Sequence, residues 1–106
     1  VTYIEQWGAV ALDARYTGNI GASHNKASRP QAEKIAMANC ISLGSTQCEL
    51  VSAYSNGCVA LAKGDTHYSV ASRPALNEAE SAVLGLCGDA SCKVVYSSCS
   101  KAKVLY

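Results

Sequence analysis

Two short apolar runs punctuate the chain, Ala9-Val10-Ala11-Leu12 and Cys58-Val59-Ala60-Leu61, each directly after a glycine. Runs of this length without polar alternation predict short strands buried in a sheet core. A second strand candidate follows each run, at about residues 19–27 and 65–71, the first carrying His24 and the second His67. The pattern then changes period. Ala32-Glu33, Ile35-Ala36 and Cys40 recur as Ala79-Glu80, Ala82-Val83 and Cys87 at one constant offset. The shared apolar positions fall at helical spacing, which predicts one helix in each half with a single buried stripe. Ser28 is placed to cap the first helix, with Gln31 three residues on to complete a capping box and Pro30 in the first turn. The second start has two readings: Ser72 caps with Arg73-Pro74 following, or Asn77 caps with Glu80 closing the box. Each half ends in a strand opened by a cysteine, Cys48-Glu49-Leu50-Val51 and Cys92-Lys93-Val94-Val95. A last segment, Lys103-Val104-Leu105-Tyr106, reads as an edge strand or a frayed end.

Strand, strand, helix, strand, twice over, predicts an α+β fold. Two pseudo-symmetric repeats, at about residues 6–56 and 57–102 of a single domain 1–106, form an antiparallel sheet with two helices on one face.

Six cysteines in 106 residues change the picture from a bare core to a stapled one. An even, dense set of cysteines points to disulfides in an oxidising compartment. The repeat selects the pairing. Cys40 and Cys87 end equivalent helices while Cys48 and Cys92 open equivalent strands, so Cys40 pairs with Cys48 and Cys87 with Cys92. Cys58 and Cys99 remain, expected to join the halves through the longest loop and to matter most for stability. The competing reading is zinc, with Cys87/Cys92 and Cys40/Cys48 as thiolate pairs. No Cys-x-x-Cys knuckle occurs and both histidines lie far from the cysteines along the chain, so no metal and no cofactor is expected.

Lys and Arg number 9 against 8 Asp and Glu, a net charge of +1. That leaves no basic field to draw in nucleic acid or anionic lipid. No apolar stretch is long enough for a membrane-spanning helix. The chain opens on Val1 without a basic and apolar leader, which reads as a mature periplasmic or secreted chain after removal of a signal peptide.

The candidate chemistry is sparse. A Cys-His nucleophile needs a free thiol, which three bridges would leave none of. Serines are abundant, but no Gly-x-Ser-x-Gly elbow appears. His24 and His67 occupy similar places in the two halves and are candidate metal ligands or a pH sensor brought together by pseudo-symmetry, or plain sheet-face histidines. Glu33 and Glu80 are equivalent carboxylates, as a glycosidase pair would be, yet both sit in first helical turns where they complement the helix dipole. The repeated Ala27-Ser28-Arg29-Pro30 and Ala71-Ser72-Arg73-Pro74 place Arg29 and Arg73 near helix starts, as a twin anion site or as solvated cap residues. Six tyrosines, one tryptophan and no phenylalanine favour contact surfaces with a polar tip, with Tyr54, Tyr68 and Tyr96 on or beside predicted strands as the interface candidates.

The opening Trp7-Gly8-Ala9-Val10-Ala11, the helix from Ser28-Arg29-Pro30-Gln31-Ala32-Glu33 to Cys40, the turn Ser55-Asn56-Gly57-Cys58-Val59-Ala60 and the helix from Asn77-Glu78-Ala79-Glu80 to Cys87 together resemble a family of secreted bacterial proteins, the domain of unknown function DUF4189. The likeness covers nearly the whole chain and implies export, with members in mycobacteria and many other bacteria. It brings no activity or catalytic residues to carry over. The segment from Ile41 to Gln47 is longer than the Gly-rich joins common in the family. The expected function is therefore non-catalytic. It is that of an exported inhibitor or immunity protein that blocks an antibacterial effector or toxin enzyme. The alternatives are a secreted effector acting on a host or neighbouring cell through a protein partner, and a hydrolase with an unrecognised Ser/His site.

Overall fold

Each apolar run becomes the middle strand of a three-stranded antiparallel sheet. The computed structural model describes residues 2–13, 17–65, 67–88 and 90–105. In chain order the elements are β1 (Thr2–Ile4), β2 (Trp7–Leu12), β3 (Ile20–Lys26), α1 (Arg29–Ser42), β4 (Glu49–Ser55), β5 (Gly57–Lys63), β6 (Tyr68–Arg73), α2 (Leu76–Cys87), β7 (Lys93–Ser100) and β8 (Lys103–Leu105). The sheets are ordered β3-β2-β4 and β6-β5-β7, and the terminal strands β1 and β8 pair with each other. The α+β class, the duplicated unit and the three bridges hold as expected. The expected single sheet with both helices on one face is corrected: the strands divide between two sheets that bury Val10, Leu12, Val59 and Leu61 between them, so each helix covers a sheet face of its own.

Alternation along the middle strands sorts the core into three layers. Ala9 and Ala11 of β2 pack on Ala32, Ala36 and Cys40 of α1. Cys58, Ala60 and Ala62 of β5 pack on Ala79, Val83 and Cys87 of α2. The intervening residues, Val10 and Leu12 with Val59 and Leu61, meet between the sheets beside Tyr54. Small side chains therefore face the helices and larger ones fill the space between sheets. β3 lies near β7 and β4 near β6, giving a helix-sheet-sheet-helix stack in which the two halves cover each other.

The chain crosses from the first sheet to the second through a single residue, Asn56, between Ser55 of β4 and Gly57 of β5. Its φ of 55° is left-handed, a conformation asparagine tolerates better than most residues. The crossing is clamped, because Asn56 N–H donates to Gln6 O at 3.2 Å and Gln6 N–H donates to Asn56 Oδ1 at 3.3 Å.

Ser28 caps α1, accepting from Gln31 N–H at 3.4 Å, while Gln31 Oε1 reaches back to Ala27 N–H at 3.2 Å. For α2 neither predicted cap is used. The N-cap is Ala75, without a side-chain bond. Ser72 is held in the sheet opposite Val59, and Asn77 already lies inside the helix, where Glu78 in the first turn complements the dipole. The predicted final strand is β8, paired antiparallel with β1, which the apolar pattern did not announce. Tyr106 of that prediction lies outside the described residues.

All three predicted cysteine pairs form: Cys40–Cys48, Cys87–Cys92 and Cys58–Cys99. One expectation about them is corrected. Cys58–Cys99 does not join the halves; the two residues are directly opposite on β5 and β7, with Cα atoms 3.9 Å apart, so the bridge staples the second sheet internally. Its counterpart in the first sheet is the pair Ala9 and Ala53. The described contacts between halves are non-covalent.

Tyr54 crosses over the sheet at Gly8, its strand partner; a Cβ on Gly8 would come within 2.5 Å of the ring. Its hydroxyl is buried near Ser98 and Ser100 without a hydrogen bond of good geometry to either. Burial raises its pKa above the ordinary 10.0, opposed by the Ser100 and Ser98 hydroxyls and reinforced by Tyr96. A group whose pKa is higher in the folded state contributes stability that is whole below its unfolded value and is lost as pH rises through the folded one. Alkaline unfolding should therefore steepen above pH 10.0. Tyr54→Phe should lessen that slope, read by denaturation midpoints across the alkaline range. An unchanged slope would contradict the assignment to Tyr54.

Candidate functional site

The register shows which ends of the two halves lie together. Gly8 faces Tyr54 across β2 and β4, and Gly57 faces Ser100 across β5 and β7, so Tyr54 and Ser100 are counterparts, and they are neighbours in the core. Asn25, at the end of β3, donates its N–H to Ser100 Oγ at 2.9 Å. Corresponding strand ends are thus side by side, and the halves are related by a pseudo-twofold axis along the strands. Both helix C-termini, both short disulfides and the β2–β3 and β5–β6 connections consequently gather at one end, called here the bridge end. The terminal strands β1 and β8 extend from the other.

In the first half the bridge end is a hydroxyl relay onto a buried carboxylate. Asn19 Nδ2 donates to Ser45 Oγ at 2.8 Å and to Leu43 O at 3.2 Å. Thr17 Oγ1 donates to Asp13 Oδ2 at 2.9 Å, which leaves the Ser45 hydroxyl to donate to Thr17 Oγ1 at 2.7 Å. Asp13 and Ser45 are each 1% exposed. A buried carboxylate is tolerated when hydrogen-bonded, and here it pins the β2–β3 connection to the segment after α1. The sequence reading missed this set. Its only local signal is Asp13 directly after the buried run that ends at Leu12.

In the second half the same place holds an imidazole and a disulfide. His67 Nε2 is hydrogen-bonded with Cys87 O and lies 4.0 Å from Cys92 Sγ. The loop that carries His67 is fastened to the bridge, since Asp65 N–H donates to Ser91 Oγ at 3.0 Å and Gly64 N–H to His67 O at 2.8 Å. Gly64 permits this approach: a Cβ there would lie 2.9 Å from Ser91 Oγ and 3.0 Å from Cys92 Sγ. Among the described residues, His67, Cys87 and Cys92 form a group whose possible ligand atoms all lie within 4.8 Å of one another.

The two histidines are not matched. Ile20 faces Leu12 and Val70 faces Leu61, so Val70 is the counterpart of Ile20. By that register His67 corresponds to Thr17 and His24 to Pro74. His24 is exposed near the far end of β3, and the structure does not bring it to His67. Arg29 forms an ion pair with Glu33 at 3.2 Å, and Arg73 donates to Ser72 O at 2.7 Å, each engaged locally. Glu80 accepts from Ser97 Oγ at 3.0 Å, and Glu33 and Glu80 stand on helices that cover opposite outer faces, so they do not flank a cleft. Of the tyrosines, Tyr54 is core, Tyr96 is half-buried between the sheets, and Tyr68 is exposed at the start of β6, next to His67.

Exposed apolar side chains flank both short bridges. Ile41 (54% exposed), Leu43 (58%) and Leu50 accompany Cys40–Cys48, and Leu84, Leu86 (63%) and Val95 accompany Cys87–Cys92. No helix among the described residues is long and apolar enough to cross a membrane.

A family model described as domain of unknown function (DUF4189) matches residues 7–99, from the first residue of β2 to the last cysteine. The chain belongs to the DUF4189 family. The match spans both repeats and all six cysteines, so the DUF4189 domain is the duplicated unit itself, with β1 and β8 lying outside it. Neither the curated proteins nor the solved structures contain a match to this chain.

Proposed function

We propose that this DUF4189 domain is an exported, non-catalytic binding protein that uses its bridge end to block a protein partner, most concretely as an inhibitor or immunity protein for an antibacterial effector or toxin enzyme. The observation that carries the reading is the placement of Ile41, Leu43, Leu50, Leu84, Leu86 and Val95. These large apolar side chains are exposed in both halves, at the end of the molecule where the backbone is fixed by disulfides. Large apolar side chains exposed at a rigid end favour an interaction surface there, and a backbone already fixed loses little entropy on docking. Three disulfides in so short a chain support export to an oxidising compartment.

The test is capture from periplasmic and secreted extracts by the wild-type chain and by Leu43→Asp/Leu86→Asp. Both positions are exposed, so stability should change by no more than about 0.5 kcal/mol. Affinity for a captured enzyme should fall about tenfold or more, with inhibition lost in parallel. Capture indifferent to the double change would remove the bridge end from the interface. Capture of host proteins alone would favour an effector. Turnover by the isolated chain, abolished at His24 or His67, would replace binding with catalysis.

A further inference from the structure

The His67, Cys87 and Cys92 group has a property that its counterpart in the first half lacks. At the equivalent place the imidazole is replaced by Thr17, and Cys40–Cys48 has Asn19 O, 3.7 Å from Cys40 Sγ, as its polar neighbour. We propose that the Cys87–Cys92 bridge is a redox gate over a metal site: when the bridge is reduced in the folded protein, Cys87, Cys92 and His67 bind one zinc-like divalent cation, and the oxidised form does not.

The geometry is close to what such a site requires. Zinc held by thiolate at about 2.3 Å and imidazole at about 2.0 Å in a tetrahedron places its ligand atoms roughly 3.5–3.8 Å apart. His67 Nε2 is already 4.0 Å from Cys92 Sγ, and all three ligand atoms lie within 4.8 Å of one another, so shifts of up to about one ångström bring the imidazole to the spacing of a tetrahedral site. Cys87 and Cys92 have Cα atoms 6.2 Å apart, which lets side-chain rotation part the two sulfurs once the bond between them is gone. Gly64 keeps the His67 loop against Cys92, and the Asp65 to Ser91 hydrogen bond ties that loop to the segment carrying Cys92 independently of the disulfide. Two thiolates and one imidazole are a borderline-soft donor set of the kind that selects zinc over calcium or magnesium. Three protein ligands leave a fourth position for water or an outside ligand.

The chemistry balances with a dithiol as reductant. The Cys87–Cys92 S–S bond takes two electrons and two protons from the dithiol, which closes to its own disulfide and leaves two cysteine thiols. The cation then displaces those two protons to solvent, and His67 gives up the hydrogen bond that Nε2–H donates to Cys87 O, the ring proton passing through solvent to Nδ1 so that the Nε2 lone pair takes the metal. In the oxidised state the sulfurs are bonded to each other and only the imidazole remains as a donor of this set. The site would therefore load only where the bridge meets a reductant, whichever partner the bridge end binds.

The experiment is a Co2+ titration followed by Zn2+ competition on the whole chain, oxidised and after incubation in dithiothreitol. Alkylation and peptide mapping identify which cysteines are reduced, and circular dichroism checks that the fold persists. Expected is one Co2+ per reduced chain with the sulfur-to-cobalt and tetrahedral ligand-field absorption of a two-thiolate site, displaced by Zn2+. Reduced His67→Ala should bind about tenfold or more weakly, and Cys87→Ala/Cys92→Ala should not show the absorption. His67→Ala keeps every bridge, so it stays informative even if the double cysteine variant fails to fold. Equal binding by the oxidised chain, equal binding by reduced His67→Ala, thiolate absorption persisting in Cys87→Ala/Cys92→Ala, or a Cys87–Cys92 bridge that resists reduction until the chain unfolds would each overturn the proposal. None of these readouts involves a protein partner, so the binding function stands or falls separately.

Discussion

Gly21→Ala should destabilise the domain by about 3 kcal/mol, among the larger effects a single methyl group can have. Gly21 lies on β3 opposite Ala11, under α1. A Cβ there would run into the backbone of α1 at Ala36 O and Cys40 N, and into Cys40 Cβ. Backbone of a helix cannot step aside as a flexible side chain can, so α1 must lift from the sheet. That would open the layer formed by Ala9, Ala11, Ala32, Ala36 and Cys40. Close-packed interiors respond to added volume by strain across the whole contact. The second half supplies a comparison: the residue opposite Ala60 is Ala71, so β6 accepts a methyl group where β3 does not. Ala71→Gly should accordingly cost only about 1 kcal/mol. Urea denaturation of the two variants checks the contrast, and a loss below about 1 kcal/mol for Gly21→Ala would mean that α1 is not seated as described.

Removal of Cys58–Cys99 by Cys58→Ala/Cys99→Ala should cost about 4 kcal/mol in the chain-entropy treatment, against about 2–3 for either short bridge. The ranking follows from sequence separations of 41 for this bridge and of 8 and 5 for the others. Cys58 is also fully buried among Ala60, Ala62, Ala79 and Val83, so the alanine variant loses packing as well as the constraint. Because the bridge lies inside the second sheet, its loss should loosen β7 from β5 before it separates the halves. Hydrogen exchange should therefore quicken first along β7, with β2 and β4 still protected. Faster exchange in β2 and β4 than in β7, or a larger loss of stability from Cys40→Ala/Cys48→Ala, would contradict this account.

The repeat and the three cysteine pairings were legible because they depend on local order. An apolar run too short for a helix, a stripe at helical spacing, and a cysteine closing each helix shortly before another opens a strand all report themselves within a few residues. Ser28 was legible as a cap for the same reason. Ala75 was not, because a cap without a side-chain bond leaves no residue type to recognise, and Ser72 had a sheet partner in Val59 that only the register reveals. What the Cys58–Cys99 bridge joins was likewise a question of strand pairing, invisible until β7 was seen beside β5.

The site divides in the same way. His24 and His67 look alike by their place in the sequence, yet strand register separates them, because loops of different length shift a residue along its strand without disturbing the apolar pattern. His67 is 25 residues from Cys92 along the chain and 4.0 Å from it in space. The sequence by itself determined the duplicated unit, its elements and its covalent pairing, since periodicity and spacing act through neighbours along the chain. Tertiary structure alone decided that the strands form two facing sheets and that both short bridges share one end. It also decided that an imidazole stands over one bridge and a hydroxyl relay beside the other. Those outcomes depend on which faces bury each other, and burial is settled among residues far apart in sequence.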